Sequence, residues 1–211
     1  MHGPPPDCPA CPRLVDFRIE NRAAFPDWHN DPVASFGGTD ARLLIVGLAP
    51  GLRGANRTGR PFTGDSAGDL LYPTLLKFGF AEGSFGAAAD DGLELIDCRI
   101  TNAVRCVPPA NKPVGAEINA CRDFLTQEIA AMPRLAVILA LGTVANGAVL
   151  ASLGMRKSAH RFGHGAFYDL PDARVLADSY HCSRYNTNTG RLTPAMFEAV
   201  FAAIRDRLAR T

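Results

Sequence analysis

The sequence lacks the features of a membrane-bound or exported protein. None of its apolar runs approaches the roughly 20 residues that are needed to cross a bilayer. The first residues, MHGPPPDCPACPR, do not show the charged-then-apolar pattern of a signal peptide. We therefore expect a cytoplasmic protein without a membrane partner, in a compartment that keeps thiols reduced.

The chain also has little excess charge, no internal repeat and no recognisable linker. Its formal net charge is +1, so contact with nucleic acid would require a local basic patch rather than a global field. Hydrophobic residues make up 47% and charged residues 20% of the chain, as in an ordinary globular enzyme. We expect residues 1–211 to form a single, monomeric domain that is long enough to bury a core.

Short apolar runs alternate with amphipathic stretches. We predict buried strands at residues 42–48, 98–104, 135–141 and 174–179. Continuously apolar strands separated by helices are typical of a parallel sheet that is covered on both faces. The fold is therefore predicted to be α/β, with one composite site formed by the loops at the carboxyl ends of the strands.

A glycine-rich loop at residues 47–69 follows the first predicted strand and leads into a helix. It contains six glycines and no lysine, so it does not match the phosphate-binding pattern G-x4-G-K-[ST]. Asp65 or Ser66 could cap the helix, or Asp65 could act as a base or charge stabiliser. Phe62 could belong to the core or stack on a planar ligand.

Two polar residues follow other predicted strands. The amide of Asn102 could satisfy backbone groups or match the edge of a nucleobase. His181 could be an ordinary packed residue or a catalytic one, since it opens a loop that faces the same crevice. Parallel strands bring their carboxyl ends to one edge, so we expect both residues near the glycine-rich loop.

Six cysteines in a reducing compartment require an explanation. Cys8 and Cys11 form a C-x2-C pair, which usually indicates a metal, a cluster or a redox dithiol. Cys106 lies among prolines, and Cys121 follows after fourteen intervening residues on a predicted helix, where it could simply be core. Four thiolates at these positions could hold tetrahedral zinc or a four-iron cluster. Spacing alone favours zinc.

Six segments stand out when the chain is taken as a whole. They are Cys8-x2-Cys11, the GLAPG turn, NRTGRPFTGDSAG, TNAVRCVPPANKP with Cys121 beyond it, the turn at Leu141 and Gly142, and the loop from His181 to NTNTGRLTP. In this order, over nearly the whole chain, they resemble the iron–sulfur uracil-DNA glycosylases, specifically the type 5 (B) branch.

The resemblance implies a three-layer α/β/α sandwich with a four-stranded parallel sheet. It replaces the zinc preference with a [4Fe–4S] cluster, whose ligands would be Cys8, Cys11, Cys106 and Cys121. It also implies a monofunctional DNA glycosylase in base excision repair. Such an enzyme hydrolyses the N-glycosidic bond of uracil, and of other deaminated bases such as hypoxanthine, without strand cleavage.

The resemblance further implies roles for individual residues. Asp65 would stabilise the sugar cation and orient or activate water, and His181 would donate a hydrogen bond to the leaving base. Phe62 would stack on the flipped base, and Asn102 would read its Watson–Crick edge. Glycines of the loop would leave room for the flipped nucleotide. The remaining implied residues are Gly47 and Ala49 beside the base, and the phosphate contacts Arg57, Arg60, Arg184 and Arg191.

Two positions depart from the family pattern. Leu48 stands where the type 4 branch has a carboxylate, which favours type 5. Cys182 replaces a proline after His181, which frees a backbone N–H and loosens the turn. The alternatives are a zinc-stapled nucleotide-binding module without glycosylase activity, and a type 4-like enzyme of narrow specificity.

Overall fold

The computed structural model describes residues 3–210; Met1, His2 and Thr211, at the ends of the predicted domain, lie outside the described residues. The helices are α1 (Pro12–Ala24), α2 (Ala55–Thr58), α3 (Gly68–Lys77), α4 (Gly115–Ala130), α5 (Thr143–Ser152), α6 (Arg184–Asn188) and α7 (Pro194–Leu208). The strands are β1 (Leu43–Gly47), β2 (Ala81–Glu82), β3 (Glu94–Leu95), β4 (Cys98–Asn102), β5 (Val137–Leu141), β6 (Phe167–Asp169) and β7 (Val175–Ser179).

The central sheet has the strand order β4-β1-β5-β7-β6. The first four strands are parallel, as predicted, and β6 pairs with β7 in the antiparallel direction. β6 was not predicted from the sequence, because it is short and only partly buried. The register places Gly47 opposite Asn102 at the carboxyl ends of β1 and β4.

Alternate residues of β1 supply two separate cores. Leu43 and Ile45 pack on one face with residues of α3 and α7, whereas Leu44 and Val46 pack on the other face with residues of α4 and α5. All five residues of β1 are buried, as the two faces of a covered parallel sheet require. This arrangement confirms the predicted α/β/α sandwich.

Two segments outside the main run of strands and long helices also contain regular structure. Residues 80–92 include β2, which forms a short hairpin with β3. The polar segment after β7 contains α6, whose first turn is capped by the Ser183 side chain. The last helix, α7, is capped by Thr193, whose hydroxyl accepts from the Met196 N–H at 3.2 Å.

Within residues 3–210, none of the helices combines the length and apolar composition that a membrane crossing demands.

Candidate active site

A cavity of about 470 Å³ opens at the carboxyl ends of the parallel strands. Loops after β1, β5 and β7 form its walls, and the turn before α3 closes one side. Its lining residues include Leu48, Ala49, Asp65, Gly142, His181 and Arg184. The structure thus brings together the two residues to which the sequence assigned chemistry, Asp65 and His181, although they are separated by more than one hundred positions.

Asp65 is held by the backbone of the turn before α3. Its Oδ1 accepts a hydrogen bond from the Ala67 N–H at 3.0 Å, which is the Asx turn that aspartate forms readily. The helix begins only at Gly68, and its N-cap Ala67 provides no side-chain cap. Asp65 therefore orders the approach to the helix instead of capping its first residue.

Burial raises the pKa of the Asp65 carboxyl above its ordinary value, and the backbone N–H groups of Ala67 and Gly68 oppose the rise. The side chain is packed closely, because a Cβ at Gly51 or Gly54 would collide with Oδ2 of Asp65. These two glycines make room for the carboxylate itself, whereas the sequence interpretation gave that room to a flipped nucleotide.

His181 lines the cavity in the loop after β7. Its ring lies against the Phe62 ring, with the centroids 5.7 Å apart and the planes at 28°. Burial lowers the pKa of the imidazole to about 4, so the ring is neutral at pH 7. The Asn186 side chain donates to the His181 carbonyl at 2.8 Å and ties the loop to α6.

Cys182, which replaces the expected proline, is fully buried in the core beside Leu192 and Phe197. The Asp65 charge adds to the burial that raises the pKa of this thiol, so the two residues lie near each other. Burial of its side chain thus anchors the turn that proline would have stiffened.

Phe62 and Asn102 lie behind the cavity instead of lining it. Phe62 is 6% exposed and adopts a left-handed conformation, with φ 53°. A Cβ at Gly47 would overlap both the Phe62 ring and the Asn102 amide oxygen. Gly47 therefore lets these two side chains meet at the end of β1, while Ala49 lines the cavity itself.

Arg60 is not placed as the predicted phosphate contact. Its guanidinium is buried and pairs with Asp91 through two hydrogen bonds, at 2.8 and 2.7 Å. It also lies over the rings of Phe36, Tyr72 and Phe85. A guanidinium enclosed in this way cannot reach DNA, so the sequence assignment is corrected: Arg60 is part of the scaffold.

This arginine holds the Phe62 turn. Its Nε donates to the Thr63 hydroxyl at 2.8 Å, and the Tyr72 hydroxyl donates to the Pro61 carbonyl at 2.5 Å. Bonds on both sides of Phe62 therefore support its left-handed backbone, which is costly for a residue with a side chain. No sequence pattern pointed to Asp91 or Tyr72, because each reaches the turn only through the fold.

The other three predicted phosphate contacts remain accessible. Arg57 on α2 and Arg184 on α6 are exposed, and Arg184 lines the cavity. Arg191 is exposed and lies over the Tyr180 ring, 4.6 Å from its centroid. None of the three forms an ion pair within residues 3–210.

Four thiols lie close together on the side of the loop after β1 that is opposite the cavity. Cys106 and Cys121 are buried with Leu14 and Val104, and Cys11 packs against them. Burial, with a smaller contribution from charge interaction among the thiols, raises the pKa of Cys11 to about 11 and that of Cys106 to about 12. Charge on Cys8 contributes to both shifts, so all four predicted ligands are neighbours.

Two N–H donors are directed at these sulfurs. The Arg18 guanidinium lies 3.8 Å from Cys106 Sγ, and the Arg105 backbone N–H bonds to the Cys121 sulfur. Such donors favour thiolates and tune iron–sulfur centres.

The thiol group does not have the arrangement of a single-ion site. Within residues 3–210, no three His, Cys, Asp or Glu side chains are placed to hold one metal ion. Around zinc, thiolates converge at about 2.3 Å from one centre. In a four-iron cluster each thiolate binds a different iron, so the sulfurs surround a larger object. The four cysteines are compatible with such a cluster.

Comparison with known proteins bears on this site. A family model described as the uracil DNA glycosylase superfamily matches residues 34–205. The chain is 50% identical over 196 residues to a type-5 uracil-DNA glycosylase from Thermus thermophilus, which covers 90% of this chain and 89% of that protein. It is 45% identical over 204 residues to a type-5 uracil-DNA glycosylase from Mycobacterium leprae, covering 92% and 88%.

Similarity to the type 4 branch is weaker. A type-4 uracil-DNA glycosylase from Pyrobaculum aerophilum is 37% identical over 116 residues, covering 54% of this chain and 50% of that protein. The match to the superfamily model spans most of the chain, and the type-5 relatives align almost end to end. These findings confirm the resemblance in the sequence, and the chain belongs to the uracil-DNA glycosylase superfamily.

Proposed function

We propose that this chain excises uracil from DNA by hydrolysing the N-glycosidic bond, with Asp65 and His181 as its catalytic residues. One observation carries the assignment of roles: a half-buried carboxylate and a neutral imidazole line the same cavity. The names of the type-5 relatives support the reaction. Uracil release from a uracil-containing oligonucleotide by the purified chain tests the activity directly.

Breaking the bond places positive charge on the sugar and negative charge on the base. The Asp65 carboxylate stabilises the sugar cation and orients the attacking water, whose proton it can accept. Its Oδ1 is held by the Ala67 N–H and its Oδ2 lies against Gly54. The group is therefore fixed in place before the charge develops, which is the preorganisation that electrostatic catalysis requires.

His181 acts on the leaving base. Because its pKa is lowered to about 4, the ring is a neutral hydrogen-bond donor at pH 7. It donates an N–H to a carbonyl oxygen of uracil and stabilises the anion as it forms. A base that stacks on Phe62 would take the place that the His181 ring now occupies on the Phe62 face. The His181 ring would then lie at the edge of the base.

Replacing His181 with phenylalanine is expected to slow single-turnover uracil release by about 10²–10³-fold, the cost of losing one oxyanion donor. The phenyl ring preserves contact with Phe62 but carries no N–H. In the parent chain the donor stays neutral down to about pH 4, so acidification from pH 7 to pH 5 should not increase the rate through His181. A near-normal rate in the variant would remove His181 from the chemistry.

Base selection is assigned to Phe62 and Asn102, which meet at Gly47 behind the cavity. Replacing Asn102 changes the hydrogen-bonding pattern available to the base edge. The proposed substrate range includes hypoxanthine, a purine for which the cavity of about 470 Å³ has room. Parallel assays on uracil and hypoxanthine oligonucleotides, with an Asp65→Asn control, test the range.

Phosphate contacts are assigned to the accessible arginines Arg57, Arg184 and Arg191, which would position the duplex without reading its sequence. Tyr185 on α6 is 72% exposed beside the cavity. The segment around it is the proposed element that enters the helix where the base has left.

The four clustered cysteines, Cys8, Cys11, Cys106 and Cys121, are proposed to hold a [4Fe–4S] cluster. When bound, such a group supplies a structural cross-link; no step of base excision runs through it. The cysteines join α1 and α4 to the segment after β4. They would thereby fix the segment that precedes α1.

The purified chain is expected to be brown, with thiolate-to-iron absorption that Cys121→Ser removes or strongly weakens. Cys98→Ser is the matched control, since Cys98 is equally buried but packs in a different core with Ile100. A colourless chain that binds stoichiometric zinc would contradict the cluster and restore the zinc interpretation.

A further inference from the structure

A second depression lies beside the active-site cavity. It has a volume of about 590 Å³ and shares Thr143 and Val144, at the start of α5, with the cavity. We name it the basic groove and define it by Asn146, Gly147, Lys157, Arg161 and Phe162. Because the two depressions share a wall, a chain leaving the cavity could continue into the groove.

The groove carries two cations without partners. Lys157 and Arg161 are exposed, and neither enters an ion pair within the described part of the chain. The Lys157 side chain lies across α5 at Gly147, where an added Cβ would come within 3.0 Å of Nζ. The absence of a side chain at Gly147 therefore lets the ammonium group lie along the groove.

A nearby carboxylate does not neutralise these cations. Asp178 is fully buried and accepts from the Asn146 amide at 2.9 and 3.1 Å and from the Gly163 N–H at 3.2 Å. These hydrogen bonds hold the Asp178 carboxylate beneath the groove. The accessible surface of the groove thus keeps its positive charge.

The charge continues toward the proposed DNA contacts. The Phe162 ring lies 6.0 Å from the ring of Tyr180, over which Arg191 is placed. Arg184 lines the adjoining cavity. The basic groove therefore extends a row of cations from the proposed catalytic site along one edge of the sheet.

We propose that the basic groove binds the phosphodiester backbone of DNA flanking the damaged nucleotide, with Lys157 and Arg161 contacting phosphates. The inference rests on the proposed function, because it assigns to the flanking DNA a surface that adjoins the proposed site. Cations that follow a backbone, with an aromatic ring between them, form the pattern by which proteins hold nucleic acid without reading its sequence.

The test measures binding of the full chain to a duplex that carries a hydrolysis-resistant 2′-fluorinated deoxyuridine, over a range of salt concentrations. Each lost phosphate contact lowers the slope of log K against log[salt] by about 0.9. The double variant Lys157→Ala/Arg161→Ala should therefore bind more weakly, with a slope shallower by about 1.8. Arg134→Ala is the matched control, since this exposed arginine precedes β5 at the opposite edge of the sheet.

Shortened duplexes locate the contact. Trimming the DNA from one side of the fluorinated nucleotide should abolish the affinity difference between the parent chain and the double variant, once the phosphates that reach the groove are gone. An unchanged slope in the double variant, or a difference that persists on the shortest bound duplex, would overturn the proposal. Absence of uracil release by the parent chain would instead contradict the proposed function.

Discussion

Replacing Asp65 with asparagine is expected to slow single-turnover uracil release by about 10²–10⁴-fold, the contribution of a positioned acid–base group. Asparagine keeps an oxygen that can accept from the Ala67 N–H, so the turn before α3 is preserved. What is lost is the negative charge that faces the developing sugar cation.

The same variant should be at least as stable as the parent chain. Burial raises the pKa of Asp65, so the fold disfavours the ionised carboxylate, and ionisation costs stability as the pH rises above the ordinary value of 3.8. Asparagine removes this cost. A large loss of rate with an unchanged or higher unfolding midpoint would therefore separate a catalytic role from a structural one.

Asp69→Asn is the matched control for this experiment. Asp69 lies in the first turn of α3 and is exposed, so its replacement should leave the rate close to that of the parent chain. The acid limb of the pH–rate profile provides a second check. This limb should lie at a higher pH than for a free carboxyl, because the pKa of Asp65 is raised. The variant Asp65→Asn should lack the part of the acid limb that protonation of Asp65 causes. A near-normal rate in Asp65→Asn would exclude Asp65 from the chemistry.

Replacing Asp91 with alanine is expected to lower the free energy of unfolding by about 3–5 kcal/mol, as when one partner of a buried ion pair is removed. The variant leaves the Arg60 guanidinium enclosed by Phe36, Tyr72 and Phe85 without its carboxylate. Urea unfolding measures the change. Uracil release should also weaken, because Arg60 supports the turn that carries Phe62.

The control for Asp91 is a surface pair of similar length. Lys77 and Glu198 pair at 2.6 Å with side chains 57% and 31% exposed, so Glu198→Ala should cost no more than about 1 kcal/mol. The pKa of Asp91 is held well below its usual range by Arg60. Its stabilisation is therefore complete above about pH 4 and is lost as the pH falls further. Equal effects of the two substitutions would show that the Arg60 pair is not structurally important.

Much of the candidate site could be predicted from local sequence. Gly47 ends an apolar run that becomes a parallel strand, and Asp65 and His181 lie in segments that follow such strands, whose carboxyl ends share one edge. The neighbouring positions of Cys8, Cys11, Cys106 and Cys121 were likewise anticipated. For the residues at the strand ends, chain direction alone limits where they can go, whereas the grouping of the four cysteines was implied by the family resemblance.

Arg60 shows where such reasoning fails. An arginine in a glycine-rich loop has the sequence signature of a phosphate contact, yet a carboxylate 31 positions later encloses it. Lys157 is the opposite case: no role was predicted for its segment, and the fold places its side chain across Gly147. Neither outcome is local, because each depends on which distant segment covers the side chain.

By itself, the sequence determined the family and the α/β sandwich, because these follow from strand periodicity and from motifs in a fixed order, and it predicted which residues are proposed to carry the chemistry. Only the tertiary structure decided which charges are buried and which face solvent. Folding packs the Asp65 carboxylate against Gly51 and Gly54, where a larger residue would collide with it. It also lowers the pKa of His181 by enclosing the ring, and it buries Arg60. The physical reason is that desolvation depends on neighbours brought together by folding.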